Sequence, residues 1–139
     1  MSRRRSSQRF ALARSPRGLP RRIPRPEEGT IKLKKAAKRA AMRDCGRRCV
    51  YCAEPLELDL ATIDHVYPLS KGGSHAHGNL VAACARCNRL KGDMLPQVFF
   101  ARFPWAGANF IRYARTVHRA LKRGARRAVS LAYARQDAA

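Results

Sequence analysis

Two Cys-x-x-Cys pairs, Cys49–Cys52 and Cys84–Cys87, constrain this chain more than any other feature. A tight turn between two cysteines aims both thiolates at one tetrahedral ion, and two such turns fill all four positions of a zinc site. With no position left open, such a zinc is structural. Disulfides are the competing use, but the amino terminus lacks the apolar stretch of a secretory signal, and an intracellular chain keeps its thiols reduced. The redox use of Cys-x-x-Cys needs a βαβ context that neither pair has. Between Cys52 and Cys84 lie 31 residues, whereas a minimal two-knuckle ribbon carries roughly 15–20. Something is inserted between the knuckles. The fifth cysteine, Cys45, sits one helical turn before Cys49 and reads as a free thiol.

The insert holds Asp64, His65, His75, His77 and Asn79, the densest set of metal-binding and proton-transferring side chains in the chain. A β-prone run over Ala61–Val66, a loop punctuated by Pro68 and Gly72-Gly73, and a second run at Leu80–Ala83 predict two strands joined by too long a connection for a tight hairpin. A short helix is expected over residues 84–91, with Gly92 ending it. Successive strand side chains point in opposite directions, so an Asp-His pair presents one group to a metal and the other to a water. Asp64 offers hard anionic oxygen, suited to Mg²⁺ or a similar divalent ion. His65 titrates near neutrality and suits a general base. Alone, the pair reads as an ordinary surface histidine beside an acid, and His75 and His77 read as exposed loop residues.

The whole pattern says more. C-x-x-C, then D-H-V-Y-P-L-S-K-G-G, then G-N-L, then C-x-x-C-N-R-L-K-G, within residues 43–96, resembles the HNH endonuclease family with its ββα-metal (His-Me finger) fold and zinc knuckles. The resemblance implies an α+β chain: a small ββα-metal core with a four-cysteine zinc site, flanked by a basic N-terminal helix and basic C-terminal helices. His65 matches the family's first histidine and Asn79 its central asparagine, while Asn88 stands at the third position, as in the H-N-N version. By that resemblance Asp64 and Asn88 bind the catalytic divalent cation, Mg²⁺ or another, and His65 activates the attacking water. Asn79 holds the loop and the His65 imidazole through hydrogen bonds. Hydrolysis would leave a 5′-phosphate and a 3′-hydroxyl.

Charge divides the chain in the same way. Of 30 Lys and Arg against 9 Asp and Glu, 17 lie in residues 1–48 and 9 in residues 98–139, leaving a nearly neutral middle. Such an imbalance points to a polyanionic partner, because each phosphate contact releases counterions. DNA is the expected partner, although charge alone does not separate DNA from RNA. Residues 1–30 are expected to be a disordered basic arm, residues 31–96 the nuclease core with its N-terminal helix (31–44), and residues 97–139 a basic amphipathic helical extension. In that extension Phe110, Ala114, Val117, Leu121, Ala125, Ala128 and Ala132 share one face.

Arg86, Arg89 and Lys91 beside the second knuckle, and Arg112, Arg115 and Arg119 on the extension, are the expected phosphate contacts; a solvated basic face is their plainer reading. Trp105, Phe99, Phe100 and Phe103 either stack on bases or pack the extension onto the core. No stretch approaches the roughly 18 apolar residues needed to cross a bilayer. The composition of residues 1–26 also fits an organellar transit peptide, but four prolines break any amphipathic helix there. A cytoplasmic bacterial or phage-encoded protein is the expectation. Its expected activity is metal-dependent DNA cleavage, the alternative being a non-catalytic zinc-stabilised nucleic-acid-binding or scaffold module of the same fold. Deleting residues 1–30 is expected to weaken DNA binding and flatten its salt dependence, read from the slope of binding against salt concentration. An unchanged slope would show that the arm does not touch phosphate.

Overall fold

The computed structural model of the protein describes residues 28–138, with side chains from Lys34 onward. The expected arm therefore lies outside the described residues except for Glu28–Thr30, which open a helix. Residues from Lys34 onward form one compact unit, and the candidate site lies wholly within it. In order, the elements are α1 (Glu28–Asp44), β1 (Ala61–His65), β2 (Leu80–Cys84), α2 (Ala85–Lys91), α3 (Pro96–Arg102), α4 (Pro104–Tyr113) and α5 (Arg119–Ala138). Among the described residues this is a small α+β fold with one two-stranded sheet.

Helix α1 buries Ala41 and Met42 and ends where Gly46, at φ 67°, takes the left-handed conformation. The first knuckle follows at once. The Ala53 amide donates to the Cys49 carbonyl at 2.8 Å and closes the turn, while the Val50 amide donates to the Ala82 carbonyl at 3.0 Å and fastens the knuckle to β2. Strands β1 and β2 run antiparallel, pairing Ala61 with Cys84 and His65 with Leu80. Their connection is long, as the sequence predicts, and contains two single 3-10 turns, Leu69–Lys71 and His77–Asn79. A Cβ on Gly73 would lie 1.8 Å from the Tyr67 carbonyl oxygen, so the loop closes on itself only with glycine there. Helix α2 runs straight on from β2.

The sequence predicts one amphipathic run after Pro96, and the structure divides it into three helices. Pro96 and Pro104 each stand in a first turn. The residue before a proline is driven out of the helical region, and Phe103, at φ −127° and ψ 79°, makes that break. No proline marks the corner between α4 and α5; there the Lys122 ammonium donates to the Ile111 carbonyl at 2.7 Å. The expected apolar face is nonetheless inside, since Phe110, Ala114, Val117, Ala125, Ala128 and Ala132 are all buried. Helices α3 and α4 both pack on α5.

The heart of the core is aromatic. Phe99, Phe100, Phe110 and Tyr51 are fully buried; the Phe100 and Phe110 rings lie 5.0 Å apart and the Tyr51 and Phe99 rings meet edge-on at 5.2 Å. Each fully buried phenylalanine contributes roughly 1.5–3 kcal/mol, so packing rather than base stacking accounts for Phe99 and Phe100. Phe103 is half-buried, and Trp105, 43 % exposed, leans on it at 5.8 Å. Where α4 meets α5, a Cβ on Gly107 would lie 2.4 Å from a Val129 methyl and 3.0 Å from the Phe100 Cβ, neither of which has room to swing away. Gly107→Ala is expected to cost about 1–3 kcal/mol through overpacking, read as a lowered thermal midpoint with zinc content unchanged.

Candidate metal and active site

The four knuckle cysteines converge as their spacing predicts. Their sulfurs all lie within 4.8 Å of one another, and Cys52 Sγ and Cys84 Sγ are 3.9 Å apart. A zinc ion holding four thiolates at about 2.3 Å spaces its sulfurs by roughly 3.8 Å, so the cluster fits zinc and is far too open for a disulfide. Backbone amides of Cys52 and Cys87 donate to Cys49 Sγ and Cys84 Sγ at 3.5 and 3.4 Å, each knuckle feeding its own first sulfur. Without a cation, burial pushes the Cys49 thiol up to about 11 and that of Cys87 higher still. Burial also works against the Cys84 thiolate, yet the Cys87 amide and the neighbouring thiols bring it below its ordinary value. A bound dication would offset the burial of these thiolates. Cys45 is buried and stands outside the cluster.

The second knuckle also aims α2 across β1. Cys84 caps the helix, Cys87 faces inward, and Asn88, one position on, donates from Nδ2 to Thr62 Oγ1 at 2.9 Å. The Asn88 side-chain carbonyl has no hydrogen-bond partner among the described residues. Four residues after Cys87, and so on the same inward face, comes Lys91. The expectation of Lys91 as a phosphate contact is corrected here: its side chain is completely buried, and its ammonium meets Asp64 Oδ2 at 3.1 Å and the His65 carbonyl at 3.1 Å. A buried ammonium ion needs a paired anion, and Asp64 supplies it.

Asp64 and His65 point to opposite sides of β1, as alternation requires. Asp64 is 5 % exposed. Its Oδ2 also accepts a short hydrogen bond, 2.5 Å, from the Tyr51 hydroxyl, while Oδ1 has only the Lys91 ammonium at 3.4 Å. Burial raises the Asp64 carboxyl above its ordinary value, with the Lys91 charge and the Tyr51 hydrogen bond opposing that rise. His65 is half-buried on the outer side, where its Nε2 lies 3.1 Å from Nδ1 of His75. Burial first, and the His75 ring next, lower the His65 pKa, so the imidazole is neutral at pH 7 and able to accept a proton.

Asn79 is buried and knits the loop: its Oδ1 accepts from the Tyr67 amide at 2.8 Å, and its Nδ2 donates to the Tyr67 and Ser74 carbonyls at 3.0 and 2.8 Å. The expected loop-holding contacts are present. The expected hydrogen bond to the His65 imidazole is not, because every one of these bonds goes to backbone; Asn79 reaches His65 only through the strand pair, where its carbonyl accepts from the Val66 amide at 2.9 Å. His75 is instead the ring that touches His65. Sequence reasoning set His75 aside as an exposed loop histidine, and only the fold of the loop brings it to the site.

Arg86, Arg89, Arg112 and Arg119 are exposed. The cysteine thiolates beside Arg86, Cys84 foremost, hold its guanidinium pKa up, which places it at the rim of the sulfur cluster. Arg115 spends Nε and Nη2 on the carbonyls of Asp44 and Arg43, both at 3.1 Å, and so caps α1. That leaves less of its guanidinium for phosphate than the sequence suggests.

Residues 49–94 match the model of the HNH endonuclease family. This segment is an HNH domain. Its relatives include the CRISPR-associated endonuclease Cas9 of Corynebacterium diphtheriae, 38 % identical over 47 residues, which are 33 % of this chain and 4 % of that protein. The Cas9 of Actinomyces naeslundii is 35 % identical over 68 residues, 48 % of this chain and 6 % of its relative. The chain thus spans a small fraction of the length of both. The crystal structure of the Type II-C Cas9 enzyme from A. naeslundii is similar with a TM-score of 0.55 at 25 % identity, over 75 % of this chain and 12 % of that one. Streptococcus thermophilus Cas9 in complex with AGGA PAM shares the fold with a TM-score of 0.53 at 22 % identity, over 67 % of this chain and 10 % of its own. Structural likeness to the A. naeslundii enzyme therefore reaches past the matched segment 49–94.

Among the described residues no helix is long and apolar enough to cross a membrane. Purified protein is expected to carry about one zinc per chain, and Cys87→Ala to lose both zinc and cooperative unfolding. Metal analysis with a thermal melt checks both, and a wild-type melt in the variant would refute a clip that holds the fold.

Proposed function

We propose that this HNH domain is a divalent-metal-dependent endonuclease that hydrolyses DNA phosphodiester bonds with water activated by His65. One observation carries the reading: β1 presents a neutral imidazole on one side and a carboxylate on the other, with Asn88 of α2 hydrogen-bonded to Thr62, two residues before that carboxylate on the same strand. Asp64 and Asn88 are the proposed ligands of the catalytic cation, and their donor set fits, being hard oxygens of which Asp64 Oδ1 and the Asn88 carbonyl are the least engaged by protein. The bound cation would supply Lewis acidity at the scissile phosphate and charge compensation for the leaving oxygen. His65 takes the proton from the attacking water at whichever ring nitrogen is unprotonated, and His75 beside it restrains the ring. Asn79 keeps the loop closed over the strand pair. Arg86, Arg89, Arg112 and Arg119 hold flanking phosphates, with Arg115 in part committed to α1.

The second reading, a non-catalytic zinc-stabilised nucleic-acid-binding or scaffold module, draws on one observation. Asp64 already has Tyr51 and Lys91 as partners, so its burial is satisfied with no divalent cation. Plasmid nicking with Mg²⁺, Mn²⁺ or Ni²⁺ separates the two. His65→Ala is expected to slow cutting by about 10²–10⁴-fold while zinc content and melting stay at wild-type values. Equal cutting by both proteins, or none by either across metals and salts, would leave the binding module as the surviving reading.

A further inference from the structure

We propose that Tyr51, gripped by α3 and α4, is a positioning residue for the Asp64 carboxylate; this rests on the reading of Asp64 as a ligand of the catalytic cation. Tyr51 is the third residue of the first knuckle and is fully buried. Its ring meets Phe99 edge-on at 5.2 Å, lies near Phe100 at 6.1 Å and stacks over Phe110 at 6.3 Å. Asn109 Nδ2 donates to the Tyr51 carbonyl at 2.7 Å and fixes its backbone as well. A ring enclosed on three sides and tied at its main chain has one direction in which to send its hydroxyl. That direction is Asp64 Oδ2, at 2.5 Å.

The two carboxylate oxygens are thereby made unequal. Oδ2 accepts from Tyr51 and pairs with Lys91 at 3.1 Å, whereas Oδ1 has only the longer Lys91 contact of 3.4 Å. Oδ2 is the anchored oxygen and Oδ1 the one available to a cation. A carboxylate oriented in this way before metal arrives loses less freedom on binding, and removing such an outer partner typically lowers metal affinity about 10–100-fold. All four residues that hold Tyr51, namely Phe99, Phe100, Asn109 and Phe110, lie beyond the matched segment 49–94. The C-terminal helices thus form part of the metal site without touching the metal.

The test measures Mn²⁺ binding by calorimetry on the zinc-loaded full chain, comparing wild type with Tyr51→Phe, Asn109→Ala and Asp64→Asn, beside zinc content and melting. Tyr51→Phe keeps the ring and removes only the donor; it is expected to hold its zinc and to weaken Mn²⁺ binding about 10–100-fold. Asp64→Asn is expected to abolish that binding, and Asn109→Ala to weaken it by a smaller factor. In the nicking assay the half-saturating Mn²⁺ concentration of Tyr51→Phe should rise while its rate at saturating Mn²⁺ stays close to wild type, a split that a general loss of folding does not produce. Wild-type affinity in Tyr51→Phe and Asn109→Ala, with Asp64→Asn defective, overturns the proposal and leaves the ligand reading of Asp64 standing. Wild-type affinity in Asp64→Asn overturns both. Should Tyr51→Phe lose its zinc, Asn109→Ala decides.

Discussion

Four thiolates within 4.8 Å of one another join a turn that follows α1 to the junction of β2 and α2, and the local structure at the site is too slight to stand without that join. The sheet has two strands of five residues each, and α2 has seven. An isolated two-stranded sheet is marginal in water, and helices shorter than about 12–15 residues are marginal as well. Zinc bound by four thiolates releases an apparent 10–16 kcal/mol or so in small domains, on the order of the whole 5–15 kcal/mol stability of an ordinary domain. A zinc ion held there would make metal binding and folding of residues 49–94 one event, and the residues mounted on these elements would take their orientation from it.

The clip does not supply a core. Between Cys49 and Met94 the fully buried large side chains are few, Tyr51 and Lys91 being the bulkiest, and the volume around them is filled by Phe99, Phe100 and Phe110 from helices that follow. This explains why residues Lys34–Ala139 are one compact unit, although the sequence invites a division near residue 96. The charge pattern and the packing pattern have different boundaries: basic residues crowd the outer face of α5, while the inner faces of α4 and α5 complete the core of the nearly neutral middle.

Much of the site was legible because its signals are local. Cysteine spacing reports the sulfur cluster, β-prone runs report the two strands to within a residue or so, and Gly92 reports the end of α2. What was not legible depends on partners distant in sequence. Lys91 looks like one more surface cation until Cys87, four residues earlier, turns to the sulfur cluster and carries that helix face inward. Tyr51 gives no hint from spacing, since its partner Asp64 is 13 residues away. His75 reaches His65 only by the fold of a loop whose shape depends on Gly73 and Asn79. The single helical period after Pro96 was correct about which residues are inside and silent about the corners, because periodicity does not register a break that keeps the phase of the buried face.

Tyr51 ties the sulfur cluster and the Asp64 carboxylate to one turn. Within one Cys-x-x-Cys turn, Cys49 and Cys52 face the zinc cluster, the Val50 amide holds β2 at 3.0 Å, and the Tyr51 hydroxyl holds Asp64. A displacement of that turn moves sulfur, strand and carboxylate together. The same coupling acts from the other knuckle, where Cys87 faces the sulfur cluster and Lys91, one helical turn on, pairs with Asp64. Asp64 is thus held from both knuckles at once, by a neutral donor from the first and a cation from the second. An ionised carboxylate 5 % exposed needs both kinds of partner: the ammonium to offset the burial of its charge and the hydroxyl to fix which oxygen stays free. An aspartate beside a half-buried histidine on a two-stranded sheet would otherwise be an ordinary surface group; its placement between the two cysteine-bearing turns is what sets it apart.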